Sequence, residues 1–439
     1  MLSRSQAVER TAELVAYHDS ERERLDVIHD YLNNKQPITW MPSGAPYEVQ
    51  QLARISRVNV LDLVVSTVVQ ALFVDGYQSS RLGRNEPVWP IWQANKMDRR
   101  QVGVHRGAIA YGASYLTVMP GDTAPVLRGV SPRDLTALYG DDDWPTIALE
   151  KRKTAEGKLY RLIDETHVYW IGTEKDSSRL VYISEEEHGL GVVPVVRFLA
   201  EEDIDGDIRG EVEPLFSLQD QINITTFGLL VAQHYGAFKQ RYILGWLADT
   251  EERKLQAQAS KLWTFPRDTE HGEVEVGEFS QTDTSGYIEA REASIRHLAT
   301  MSQTPAHELI GQLVNMSADS IAAAEASYRR KLDTRKTTLG ESWEQSLELA
   351  ARIQGLDTDD EAEVRWRDTE ARSFAQTVDG LVKLLPIVPT EALMEHVPLG
   401  QSQKDIERWV ELHRRGSPMG AFLDGAMGPI GDDDLDDVA

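Results

Sequence analysis

His307 and Glu308 stand in the order that opens a zinc helix, H-E-x-x-H, where two histidines one turn apart hold the metal and the glutamate acts as general base. The second histidine is missing: Gly311 takes its place, and Pro305 and Gly311 both work against a continuing helix. Asp203-Ile-Asp205-Gly-Asp207 has the acidic rhythm of a calcium loop. Its glycine comes at the fourth position where the sixth is required, and Pro214 stands where a bidentate glutamate should close the loop. The segment therefore reads as a solvated acidic turn. Gly189 and Gly191 supply two glycines of a dinucleotide loop, Pro194 replaces the third, and no Gly-Lys-Ser/Thr triplet cradles a phosphate. Gly112-Ala-Ser114 lacks the closing glycine of a nucleophile elbow, so Ser114 reads as a packed strand residue. Glu185-Glu-Glu187-His188 reads as a charged turn. The expectation is a chain with no catalytic residue, no metal and no cofactor, hence not an enzyme. A site assembled from distant residues in the β-rich region stays open as the alternative.

The elements that would have to position any site follow from periodicity. Residues 1–32 read as an amphipathic helix, and 48–72 as a second that ends at the turn signal Asp75-Gly76. Residues 101–110 read as a helix and 113–119 as a strand. Short strands at 126–130, 147–152, 159–163, 168–171 and 180–183 then predict a β-meander, with one more extended segment at 192–198. Helices dominate afterwards: 214–239, then 287–301, which Thr304-Pro305 stops, then an irregular stretch at 305–317. A very long helix to about 353 follows, with Gly340 as its expected kink. A short strand at 363–367 and helices at 373–385 and 403–414 complete the series. The helices 214–239 and 287–303 bracket an insert of small strands and a helix, as a stalk would carry a tip.

Composition narrows the class. The chain has 439 residues, 41% apolar and 27% charged, a globular balance with room for two or three cores. It has no cysteine, which removes disulfides and thiolate metal sites and fits a reducing compartment. No stretch reaches the ~18 uninterrupted apolar residues of a membrane span, and the N-terminus is not a signal peptide. Net charge is −25, so a broad basic face that grips nucleic acid is not expected. The end of the chain, 416–439, is acidic and reads as flexible.

Three segments carry a resemblance. Ile208-Arg-Gly210-Glu through Pro214 and Leu218-Gln-Asp220-Gln-Ile-Asn223 is the first. Gln303-Thr-Pro305-Ala-His307-Glu-Leu309-Ile-Gly311 through Asn315-Met316-Ser-Ala-Asp319 to Ala324-Glu325 is the second, and Val364-Arg-Trp366-Arg-Asp368 the third. In this order they are similar to stretches of bacteriophage portal proteins. The resemblance implies an α+β fold: an elongated, mostly helical portal fold with a β-rich wing, a two-helix stem, a small α/β clip, a long kinked helix and a helical crown. It implies wing at 1–213, first stem helix at 214–245, clip at 246–286, second stem helix at 287–303 and tunnel loop at 304–320. The long helix and a wing strand would take 321–371 and the crown 372–415. It further implies a ring of identical subunits, twelve by family habit, at one capsid vertex of the virion, assembled in the host cytoplasm. Double-stranded DNA would be packaged and ejected through it. Partners would be the terminase packaging motor, the head-tail adaptor, and the major capsid and scaffolding proteins, with no membrane.

Within that resemblance, Arg291, Arg296 and His297 on the second stem helix and His307, Gln312, Asn315 and Met316 in the loop become candidates to face the DNA channel. Arg329, Arg330, Lys331, Arg335 and Lys336 form the densest basic cluster and become candidates for a subunit interface. Intersubunit ion pairing is an equal reading for the stem residues, and an ordinary loop for the others. Another virion adaptor protein remains an alternative to the whole assignment.

Overall fold

The computed structural model describes residues 1–38, 41, 44–78, 87–141, 143–154, 157–174, 179–236, 241–244, 262–265, 275–278, 283–311, 318–357, 359, 361–367, 374–388, 393–394, 397 and 408–413. It mixes helix and sheet. Helix α1 spans Arg4–Leu32 and opens with a capping box, in which the Ser3 hydroxyl accepts from Gln6 N and the Gln6 side chain reaches back. The expected second helix is two: α2 (Tyr47–Ile55) and α3 (Val60–Gln70). Asp75 and Gly76 lie not in a turn but inside strand β1 (Val74–Gln78), where the register shifts between Val74 and Gly76.

Helices α4 (Trp89–Ala94) and α5 (Met97–Tyr111) lead into strand β2 (Ala113–Met119), the middle of a three-stranded antiparallel sheet between β3 (Val126–Val130) and β9 (Val195–Leu199). Strands β4 (Leu135–Tyr139), β5 (Pro145–Thr154), β6 (Gly157–Ile163), β7 (His167–Thr173) and β8 (Leu180–Glu187) pair in sequence order as a meander. The expected meander differs at its start: 126–130 pairs with β2 in the other sheet, and β4, not expected as a strand, opens the meander. One face of the meander carries Leu149, Leu162, Tyr169 and Ile171, and Ala7 and Leu14 of α1 pack on it. Ser114 is buried as expected and donates to Val104 O at 2.7 Å, tying β2 to α5.

A single turn of 3₁₀ helix (Glu213–Leu215) enters α6 (Phe216–Gly236). Between α6 and the next long helix, β10 (Arg241–Leu244) pairs parallel with β11 (Leu262–Phe265) and antiparallel with β12 (Glu275–Glu278). The helix expected at 250–260 lies outside the described residues. Helix α7 (Ser285–Met301), the short α8 (Ala306–Ile310) and the 37-residue α9 (Ala318–Gln354) follow. At 1.5 Å per residue α9 measures about 55 Å, and it continues through Gly340. Strand β13 (Glu363–Trp366) returns to pair with β1, and α10 (Phe374–Leu384) and a helical segment at 408–413 come last.

The main core joins these parts. Trp343 of α9 is fully buried and meets Trp92 and Phe198 edge-on, with ring centroids 4.8 and 4.6 Å away. Leu339, Leu347 and Ala350 extend the same apolar stripe along α9.

Candidate functional site: the helix pair and its junctions

Helices α6 and α7 pack antiparallel. A Cβ at Gly228 would sit 2.8 Å from the Tyr287 ring, so glycine is what lets that ring lie against α6. Toward the other end, Ile222 shares a cavity of about 250 Å³ with Arg291 and Ile295, roofed by Leu63 of α3 and Leu309 of α8. Ser294, Ile295, Leu298 and Ala299 are the buried face of α7. This geometry separates the three stem candidates. Arg291 turns inward to the cavity, and its Nε is buried without a hydrogen-bond partner among the described residues. Arg296 and His297 lie on the exposed face, with Arg296 3.6 Å from Glu292 one turn back.

The head of the pair explains the first sequence segment. Gly210 lies against the end of α5, where a Cβ would come within 2.5 Å of Ala110 O; only glycine fits. Beside it Glu211 is buried and accepts from Lys331 Nζ at 2.6 Å and from Arg335 Nη2 at 3.1 Å. Lys331 also donates to Ser302 O, and Arg335 to Ala200 O and Glu201. Burial pulls the Lys331 ammonium below the usual lysine range, against the attraction of Glu211. Asp220 accepts from the Tyr31 hydroxyl at 2.8 Å, while the Tyr31 ring stacks on Phe216 at 4.0 Å. Burial and Asp220 together push the Tyr31 phenol far above its ordinary range.

Gln219 and Asn223 decide where the second predicted helix breaks. Gln219 accepts from Val60 N and Leu61 N through Oε1 and donates to Val58 O, and Asn223 Oδ1 accepts from Val58 N. Side chains of α6 thus take over the backbone bonding of residues 58–61, so α2 and α3 need not run as one. The periodicity of 48–72 carried no sign of this, because the partners lie about 160 positions away.

At the other end of α7, Gln303 takes a positive φ of 50° and Pro305 starts α8. Gly311 ends it with φ 73°, so the partial zinc spacing never forms a second turn. His307 is nearly enclosed, with Nε2 3.6 Å from Glu308 and 3.9 Å from Glu325 of α9. Gln312, Asn315 and Met316 lie outside the described residues. The basic cluster divides by face: Lys331 and Arg335 are spent inside the chain, whereas Arg329, paired with Glu325 at 3.2 Å, and Arg330 are exposed and Lys336 is half-buried. Asp203 Oδ1 accepts from Asp205 N and Asp207 N while its Oδ2 pairs with Arg209, so the acidic segment is a self-capped turn.

The third segment is a clamp. Arg365 and Arg367 reach Asp75 across the β1–β13 pair at 3.0 and 3.4 Å, and Val364 N donates to Glu344 at 3.0 Å. Behind it His105 is fully buried: its Nδ1 lies 3.2 Å from Leu72 O, and its Nε2 accepts from the Trp343 indole at 2.8 Å. That pattern fits the neutral ring with the proton on Nδ1, and burial lowers its pKa to about 4. No group of three His, Asp or Glu side chains able to hold a metal ion occurs among the described residues, and none of their helices is long and apolar enough to cross a membrane.

These junctions assemble one frame from distant segments of the chain. Residues 12–418 match the family model described as phage portal protein, SPP1 Gp6-like. The chain belongs to the phage portal protein family. Two curated portal proteins are similar over nearly the whole length. The one from Mycobacterium phage L5 is 24% identical over 96% of this chain and 91% of its own. The one from Mycobacterium phage D29 is 24% identical over 88% and 84%. Among solved structures, a chain from the virion of a native gene transfer agent particle aligns at TM-score 0.49 and 14% identity, covering 82% of this chain and 96% of that one. A chain from the neck of the same kind of particle, computed with C12 symmetry, aligns at 0.47 and 14%, covering 84% and 95%. Portal family membership makes the chain a bacteriophage structural protein and a virion component rather than a member of an enzyme family.

Proposed function

We propose that this portal family chain assembles into a ring, of twelve copies by family habit, at one capsid vertex. Double-stranded DNA enters and leaves through it, and it docks the terminase motor during packaging and the head-tail adaptor afterwards. The observation that carries the reading is the antiparallel pair α6 and α7, with the small sheet β10–β12 in the chain between them, inside a match that runs from residue 12 to 418. In this reading α6 and α7 are the stem, expected over 214–245 and 287–303, and the β10–β12 sheet is the clip, expected over 246–286, with β10 at 241–244 joining it; 304–320 is the tunnel loop, 1–213 with 321–371 the wing, and 372–415 the crown.

The charge supports a conduit. Each phosphate–cation contact adds affinity and slows sliding, and a chain of net −25 offers few such contacts. Arg296 and His297, exposed on α7, are the described residues we assign to the lumen; Gln312, Asn315 and Met316, which lie outside the described residues, stay candidates from the sequence alone. Electron microscopy of the protein assembled with its capsid and scaffolding partners tests this. The expected image is a ring with a central channel; a protein that stays monomeric with every partner present overturns it.

A further inference from the structure

Copies of a chain with net charge −25 repel one another. A closed ring of them needs a local attraction between two different surfaces, because a head-to-tail interface joins one side of each copy to the other side of the next. The two surfaces can be sought at opposite edges of the layer built on the sheet β3-β2-β9.

At the β3 edge, a cleft of about 830 Å³ runs between α1, α5 and β3. Among the described residues Arg99, Arg100, Arg106 and Arg128 line it and no carboxylate does, a lining charge of +4. Asp62 holds Arg106 and Glu150 holds Arg128 from behind. Arg99 and Arg100 are exposed and have no carboxylate partner among the described residues; Arg100 reaches only Leu127 O, at 3.4 Å. Val126 in the lining and Val102 beside it are 45% and 42% exposed, apolar area an interface would cover.

At the β9 edge, a groove of about 580 Å³ runs along α9. Among the described residues Asp143, Glu341, Glu344, Glu348 and Asp359 line it with Arg197 as the one cation, so five negative charges and one positive leave −4. Glu341 and Asp143 are exposed, and Glu341, Glu344 and Glu348 recur at helical spacing along one face of α9. Arg197 is already engaged by Glu202 at 3.3 Å and lies over the Tyr139 ring.

We propose that the arginine cleft of one copy receives the acidic face of α9 of the next, and that this contact sets the direction in which copies follow one another around the ring. The inference rests on the ring reading above. Equal and opposite lining charge on the two edges orients encounter and rejects a copy presented the wrong way round.

The chain has no cysteine, so a designed pair reports without background. With Arg99→Cys and Glu341→Cys in one chain, oxidation of assembled rings should give a ladder of covalent multimers, absent from either single variant. Arg99→Glu with Arg100→Glu should lower the ring yield at least about tenfold, as should Glu341→Lys with Glu348→Lys. Mixing the two reversed proteins, each with the thermal midpoint of the parent, should recover mixed dimers. Normal rings with no ladder and no response to reversal overturn this interface and leave the ring reading standing. A parent that never forms rings overturns both. A cysteine at residue 99 that instead cross-links within its own chain to one placed among 432–437 assigns the cleft to the acidic end of the chain and also overturns the proposal.

Discussion

His105 shows how much a single side chain can hold. Its two ring nitrogens join the end of α3, through Leu72, to the middle of α9, through Trp343. Protonation would put a second donor where the indole N–H already points. The unfolded chain takes up this proton near pH 6.5 and the folded chain only near pH 4. The stability linked to this ring is therefore complete above pH 6.5 and is lost as the pH falls through that window. Thermal unfolding from pH 7 to 4 should show it: His105→Gln, whatever its cost at pH 7, should have a shallower pH slope than the parent by up to about 1.4 kcal/mol per pH unit. Parallel profiles would place the histidine's titration elsewhere. In the sequence His105 is one of eleven histidines with no local signal, since neither partner is near it in the chain.

At the scale of elements, α9 is fastened to the head of α6 by charge and to the β2 sheet by packing. Glu211→Gln leaves Lys331 buried without its counter-ion, and breaking a buried pair in this way costs about 3–5 kcal/mol. Denaturant unfolding should register that loss, with Arg335 contributing less because Glu201 still pairs with it. Gly340 points the other way. A Cβ there would meet Val364 and the Trp366 indole at 3.5 and 3.6 Å, ordinary contact distances. Gly340→Ala should therefore raise the thermal midpoint, by up to about 1 kcal/mol of helix propensity. A fall would mean that the backbone uses glycine's freedom at that point. The basic cluster on α9 also resolves at this scale, since a helix turns Lys331 and Arg335 inward, four residues apart, while Arg329 and Arg330 face out.

For the whole molecule the decisive quantity is charge distribution. A net charge of −25 sets copies of the chain against each other, unless basic and acidic lining are segregated to opposite edges. Contacts of that origin are screened by salt. Raising ionic strength from about 0.1 M to about 1 M shortens the Debye length from about 10 to about 3 Å. Sedimentation of preformed rings across that range should show a shift toward smaller species, and the reversed-charge variants should already be dissociated at the low end. Rings indifferent to salt would point to an interface dominated by apolar burial.

The sequence by itself determined most of the element types, Asp75-Gly76 in β1 being an exception, because a strand's alternation and a helix's period are local and survive without neighbours. It determined the missing catalytic motifs and, through three short segments in order, the portal family. Within those segments it could not tell what each residue was for. Gly210, Glu211, Gln219 and Asn223 are placed by groups from about 100 to about 165 positions away, and Arg365 and Arg367 by Asp75 some 290 positions back. Only the tertiary structure could break the second helix at 56–59, turn Arg291 inward while Arg296 and His297 face out, and set arginines and carboxylates on opposite edges of one sheet. Long-range hydrogen bonds and burial decide those outcomes, and neither leaves a periodic trace in the chain.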